Sequence, residues 1–217
     1  KFSAQGELIW NQCIGGSGRE EFGQMVQTPD GGVVVIGTVK STDGHASDGH
    51  GKKDMIVAKI DALGRIEWTK CYGGHGNDRG LAICTTSDGG YMIGGESGSN
   101  TGNMTEHRGG LDAWVAKLDA YGMVEKEKTL GGRGNEAVLL LDEVKPGRYL
   151  VVTTSTSTDG DIKEPMGAKD VWIACLSKNF DFVWSRNYGG SDFDEVHGMM
   201  RNHRGEYMFA GTTFSED

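Results

Sequence analysis

One phrase of 58 residues is written almost four times along this chain, with no insertion or deletion between copies. Lys1, Lys59 and Lys117 open it, Gly6, Gly64 and Gly122 continue it, and Trp10, Trp68 and Trp184 close it. Farther along, Gly15-Gly16, Gly73-Gly74, Gly131-Gly132 and Gly189-Gly190 keep the same register. So do Gly31, Gly89, Gly147 and Gly205, then Ser41, Ser99, Ser157 and Ser215. Self-similarity at a fixed period means stacked supersecondary units, each burying its apolar face on the next. The expectation is a single domain over residues 1–217. It comprises units 15–72, 73–130 and 131–188, with the end segments 1–14 and 189–217 sharing one further unit.

Each unit holds four short segments of strand character separated by turn chemistry. In the first, Phe22 to Thr28 runs into the turn Pro29-Asp30-Gly31-Gly32, and Val33 to Val39 follows. After a polar stretch from Lys40 to Lys53 come Met55 to Ile60, the turn Asp61-Ala62-Leu63-Gly64, and Arg65 to Cys71. Two hairpins per unit give a four-stranded antiparallel sheet. The predicted fold is therefore all-β, a β-propeller of four-stranded blades with about four repeats in this chain. The 36 glycines against 3 prolines suit many tight turns at fixed register rather than disorder. The Trp column predicts a wedge of large flat side chains between blades. In the third copy Lys126 takes its place, and Trp114 and Trp172 appear near the start of the third strand instead.

A net charge of −9 argues against a nucleic-acid partner, which needs clustered Lys and Arg. No apolar run approaches the roughly 18 to 20 residues of a bilayer span, so no membrane insertion is expected. Of the four cysteines, Cys13 and Cys71 stand at equivalent positions while Cys84 and Cys175 have no counterpart, a pattern that suggests buried free thiols rather than a disulfide framework.

The phrases Lys-x-Asp-x-x-Gly-x-x-x-Trp (Lys59 to Trp68), Gly-Gly-x-Gly-x-Asp (Gly73 to Asp78), Asp-Gly-Gly-Tyr (Asp88 to Tyr91) and Ser-x-x-Gly (Ser99 to Gly102) carry a family resemblance. The chain resembles, over its whole length, the β-propeller or delta-type repeats of large secreted bacterial proteins. That resemblance implies a propeller fold and an extracellular or cell-surface location. It implies no particular activity, because fold does not dictate function.

On one predicted face, the Gly-Gly-x-Gly-x-acid connectors between blades bring Glu20, Asp78, Glu136 and Asp194 into register. Their glycines suit either the close approach of a sugar or peptide or a cramped blade crossing, with the acid anchoring the neighbouring turn. On the same face the long loops supply Asp43, Asp48 and Asp54 in the first unit and Asp159, Asp161 and Asp170 in the third. Two readings stay open there. The carboxylates are candidate calcium ligands, Asp43, Asp54, Asp159, Asp161 and Asp170 above all, or they hold the turn by accepting backbone amides. The second unit counts against a cation, since Thr101 and Asn103 replace two carboxylates and leave Asp112. His75 and His107 break the repeat symmetry and join the ligand-binding candidates, with His45, His50, Arg19, Arg133 and Glu106 on the same loops.

No nucleophile elbow, Walker loop or dinucleotide fingerprint occurs. The functional expectation is a non-catalytic binding or scaffold module that recognises a glycan or protein on the loop face. Calcium is the one cofactor to test for, and a homo-oligomer or further repeats are possible partners. Two alternatives remain: a carbohydrate-active enzyme using face carboxylates, and an assembly element completed by strand exchange.

Overall fold

A computed structural model describes residues 1–216; Asp217, the last residue of the 189–217 segment, lies outside the described residues. Among the described residues, fourteen strands form three four-stranded antiparallel sheets and one hairpin. The first sheet is β1 (Glu20–Gln27), β2 (Val33–Val39), β3 (Asp54–Ile60) and β4 (Ile66–Tyr72), paired in that order. The second is β5 (Asp78–Thr85), β6 (Tyr91–Ser97), β7 (Asp112–Leu118) and β8 (Val124–Leu130). The third is β9 (Glu136–Lys145), β10 (Arg148–Ser155), β11 (Asp170–Ser177) and β12 (Phe182–Tyr188). The hairpin is β13 (Asp194–Arg201) with β14 (Tyr207–Thr213). The two-hairpin unit expected from the sequence is present three times, and β3, β7 and β11 each begin at the loop aspartate.

The patterning explains the layering. In every complete sheet the second and third strands are near-continuous apolar runs, Val33–Val39 and Asp54–Ile60 in the first, and both are buried along almost their whole length. Such strands must be covered on both faces. The outer strand β4 instead alternates and stays partly exposed. The first strands stand side by side in a row, β1 against β5, β5 against β9 and β9 against β13.

Between successive sheets lie apolar wedges. Val57 and Tyr72 of the first sheet share one cluster with Ile93 and Trp114 of the second. Val115 and Leu130 of the second share another with Val151 and Trp172 of the third. Trp114 and Trp172 are fully buried, so the wedge role expected of tryptophan falls chiefly to these two. The column at the end of the phrase behaves less uniformly. Trp68 is half-buried, edge-on to Tyr91 of the next sheet at 6.0 Å. Trp10 packs on the Gly64 turn and donates its indole N–H to Ala62 O (3.2 Å). Trp184 is 42 % exposed. Its equivalents lean on the next sheet's turn, which this end of the row does not present.

The two end segments sit on different sheets. Residues 1–14 lie on the first sheet, where Trp10 and Ile14 pack against Val35, Ala58 and Ile60. The terminal hairpin packs on the third, where Val196, Met199 and Tyr207 meet Leu150, Val152 and Ile173. Cys71, Cys84 and Cys175 are buried thiols as expected, but Cys13 is exposed, on the segment that precedes the first complete sheet. Burial pushes the Cys71, Cys84 and Cys175 thiols up.

Candidate functional site

The recurring polar residues gather where the connector entering each sheet crosses the long loop of that sheet. At the second sheet, Asp78 is fully buried and saturated. Its Oδ1 accepts from Ser97 Oγ (2.5 Å), and its Oδ2 from Ser99 Oγ (2.7 Å) and Gly74 N (2.9 Å). Glu136 repeats this with Ser155 Oγ (2.8 Å), Ser157 Oγ (2.7 Å) and Gly132 N (2.9 Å). Asp194 Oδ2 accepts from Gly190 N (2.9 Å) and Ser215 Oγ (3.1 Å), and Glu20 accepts from Ser41 Oγ. The side chain is short or long, Asp or Glu, but its partners keep the same repeat positions.

The loop residues complete the crossing. Gly18, Gly76 and Gly134 donate their amides to Ser41, Ser99 and Ser157 Oγ (2.7, 2.8 and 2.7 Å). Ser17, His75 and Arg133 donate theirs to Asp43 Oδ1, Thr101 Oγ1 and Asp159 Oδ1 (2.8, 3.0 and 2.8 Å). Gly15, Gly73 and Gly131 donate to His45 Nδ1, Asn103 Oδ1 and Asp161 Oδ2 (3.2, 3.3 and 3.2 Å). Asp, Thr, Asn and His thus perform one task in three copies. What the position requires is a hydrogen-bond acceptor and not a charge, which is why the second unit loses two carboxylates without losing the loop.

The second connector glycine leaves no room for a side chain. A Cβ on Gly74 would lie 2.3 Å from Thr101 O, and on Gly132 2.4 Å from Asp159 Oδ1. Backbone links then tie neighbouring sheets: Asp78 N donates to Lys53 O (2.9 Å) and Glu136 N to Leu111 O (2.7 Å).

Asp54, Asp112 and Asp170 stand at the same crossings. Each uses Oδ2 for loop groups: His50 N (2.8 Å) and Gly51 N (3.1 Å) for Asp54, Arg108 N (2.9 Å) and His107 Nδ1 (2.8 Å) for Asp112, Met166 N (2.7 Å) and Gly167 N (3.3 Å) for Asp170. Each leaves Oδ1 buried with no hydrogen-bond partner among the described residues. A Cβ on Gly73 would lie 2.3 Å from Asp54 Oδ1 and 2.7 Å from Asp78 Oδ2, so two buried carboxylates face the same glycine. Burial, with the Asp78 charge adding to it, raises the Asp54 carboxyl above its ordinary value.

The calcium candidates therefore each accept backbone amides, Asp43, Asp159 and Asp161 from the connector and Asp54 and Asp170 from their own loops. Among the described residues no three of His, Cys, Asp and Glu converge in a group that could hold a metal ion. Asp161 is further engaged by Arg108 (2.6 Å), which also contacts Glu106 (3.1 Å). Of the ligand candidates, Asp78, Glu136 and Asp194 are buried, and His107 is committed to Asp112. His75 is exposed, one of four variable side chains at the same connector position with Ser17, Arg133 and Ser191. No single spacing motif marks that row; only the repeat alignment reveals it.

No family model matches the chain. Over 131 residues it is 29 % identical to the regulatory protein FlaEY of Caulobacter vibrioides, a match covering 56 % of this chain and 14 % of that protein. The chain thus spans about one seventh of that relative's length. A solved protein of unknown function from Bacteroides caccae aligns over 86 % of this chain and 73 % of its own, at 12 % identity and a TM-score of 0.42.

Proposed function

We propose that the sheets are blades of a β-propeller and that the chain is a non-catalytic binding or scaffold module of a secreted or cell-surface bacterial protein. One observation carries this reading. The recurring polar residues of the loop face are already engaged by the protein's own backbone and serines, with interchangeable groups at equivalent places. Chemistry on substrate does not tolerate such exchange, whereas turn architecture does. Burial of Asp78 and Glu136 also speaks against an acid pair for glycoside cleavage, which must reach substrate from both sides. The propeller reading is supported by the row of first strands and by the wedges between successive sheets.

The exposed row Ser17, His75, Arg133 and Ser191 is the place for a glycan or protein ligand to read differences between blades. Glycan and protein arrays probed with the 217-residue chain test this. A hit is expected to weaken at least about tenfold in the double variant His75→Ala, Arg133→Ala. A ligand indifferent to that variant, or turnover of any glycan, would sink the proposal. The loops need no metal on this reading, so a chelator should leave the melting temperature unchanged; a rise of several degrees with millimolar calcium would restore the metal reading.

A further inference from the structure

The second and third sheets meet in a way that departs from the repeat. At the preceding interface Trp68 covers the turn glycine of the next sheet: a Cβ on Gly122 would lie 2.9 Å from its Cζ3, and its ring stands edge-on to Tyr91 at 6.0 Å. One unit later both partners change together. Lys126 stands where Trp68 did and Phe180 where Gly122 did. Phe180 is 2 % exposed, and its ring stands edge-on at 5.9 Å to Tyr149, the repeat equivalent of Tyr91. The aromatic thus comes from the third sheet's own turn rather than from the neighbouring sheet. Phe180 also keeps the positive φ of the glycine it replaces (64°), a conformation uncommon for a bulky side chain and held only where the surroundings enforce it.

Without an indole on the rim, a groove of about 230 Å³ remains between β8 and the β11–β12 turn, lined by Thr105, Glu106, Lys126, Glu127, Lys128 and Asn179. The protein engages both acids itself. Glu127 accepts from Trp114 Nε1 (2.9 Å) and from Thr105 Oγ1, and Glu106 Oε2 pairs with Arg108 (3.1 Å), which also holds Asp161 (2.6 Å). The lysines are different. Lys128 sits opposite Val115 of the wedge, its ammonium 5.0 Å from the centre of the Phe182 ring, so this face of β8 meets the third sheet. Lys126 is exposed two residues away on the same face, and among the described residues neither lysine is ion-paired. The equivalent pairs are Trp68 with Lys70 and Trp184 with Arg186, so two adjacent cations occur at this interface alone among the three outer strands.

We propose that this groove binds one carboxylate-bearing monosaccharide, a hexuronate. Its carboxylate sits between the Lys126 and Lys128 ammonium groups, and its hydroxyls meet Thr105, Glu106 and Asn179. A lining that offers unpaired cations beside hydrogen-bond acceptors suits a ligand with one anionic group among several hydroxyls. A bare sulfate or phosphate would meet the two glutamates with nothing to donate to them. The groove lies between two four-stranded sheets and is separate from the exposed connector row.

The test titrates the 217-residue protein with sodium galacturonate and follows backbone amide shifts by NMR. Saturation with a Kd of about a millimolar is expected, too weak to register on an array, with shifts centred on residues 105–108, 126–129 and 179–180. Galactose, which lacks the carboxylate, and sodium sulfate, which lacks the hydroxyls, should each bind at least about tenfold more weakly. Lys126→Ala and Lys128→Ala should each weaken galacturonate at least about fivefold. The paired variant Lys126→Trp, Phe180→Gly rebuilds the covered turn of the preceding interface and should abolish binding while the fold is kept; the two alanine variants decide the matter should that pair not fold. Absence of saturable shifts, equal binding of galactose or of sulfate, shifts centred elsewhere, or binding that survives both alanine variants would overturn the proposal.

Discussion

Lys59 shows how this chain treats a buried charge. It is 4 % exposed, yet its ammonium lies 2.7 Å from Asp30 Oδ2 and 2.8 Å from Glu67 Oε2. Burial pulls it down, and the hydrogen bonds that it donates to Asp30 and Glu67 outweigh that and leave it raised. Lys117 repeats the arrangement with Asp88 (3.0 Å) and Glu125 (3.1 Å). In the third unit all three positions change together, to Cys175, Pro146 and Val183. A buried cation without partners is costly, so the set is kept or lost as a whole. The hydrogen bond from Lys59 holds the Asp30 carboxyl well below its ordinary 3.8. A lowered folded-state value gives stability that is present above the ordinary carboxylate range and lost as pH falls through the folded value. Asp30→Asn should therefore cost about 1 kcal/mol at pH 7, a modest figure because the Asp30 side chain is half-exposed and screened. The cost should shrink below pH 4, as urea melts at the two pH values would show. Asp54 has the opposite sign. Its folded value is raised, so ionisation above that value destabilises the protein. Asp54→Asn keeps an oxygen for the His50 and Gly51 amides and turns an N–H toward the Asp78 side. It should stabilise by about 1 kcal/mol at pH 7 and be neutral near pH 3; a loss at pH 7 would mean that Oδ1 has a charge-requiring partner.

At the scale of the element, the strands and their turns were legible from the 58-residue register, because two apolar runs and two glycine turns per unit leave few alternatives. The loop crossings were half legible. Ser41, Asp43 and Asp54 pointed to oxygen chemistry, but oxygen acceptors look alike whether they face amides or a cation. Only the placement of Thr101 and Asn103 on the very amides served elsewhere by aspartates separates the two. The packing of the terminal hairpin on the third sheet was not legible, since Tyr207 and Ile173 become neighbours only in the folded chain. These crossings should be sensitive to volume and to acceptors rather than to charge. Gly132→Ala drives a methyl into Asp159 and should cost about 1–3 kcal/mol. Thr101→Asp should be nearly neutral, while Thr101→Val strands the His75 amide and should cost about 1 kcal/mol. Equal losses from both Thr101 variants in thermal melts would refute the acceptor argument.

Across the whole molecule, stability should be graded along the row. In a stacked array each unit is held by its neighbours, so an inner sheet has two apolar interfaces and an end unit one. The second sheet contributes to both large wedges, through Trp114 and Ile93 on one side and Val115 and Leu130 on the other. The terminal hairpin rests chiefly on the third sheet, through a cluster around Val196 and through Arg201, whose Nη2 donates to Val144 O (2.7 Å). β14 is exposed at six of its seven positions, while β6 and β10 are each buried at all but one. Native-state amide exchange should therefore proceed fastest in β13–β14, at an intermediate rate in the first sheet, and slowest in β6, β7 and β10, through separate opening reactions. Trp114→Ala removes the indole from the first wedge and should cost about 3–5 kcal/mol. It should bring exchange in the first and second sheets up together while leaving β13–β14 unchanged, since the hairpin already opens on its own. A single exchange rate from β1 to β14 would instead mean that the row unfolds as one unit, with the backbone links between sheets carrying more of the cooperativity than the tryptophan wedges.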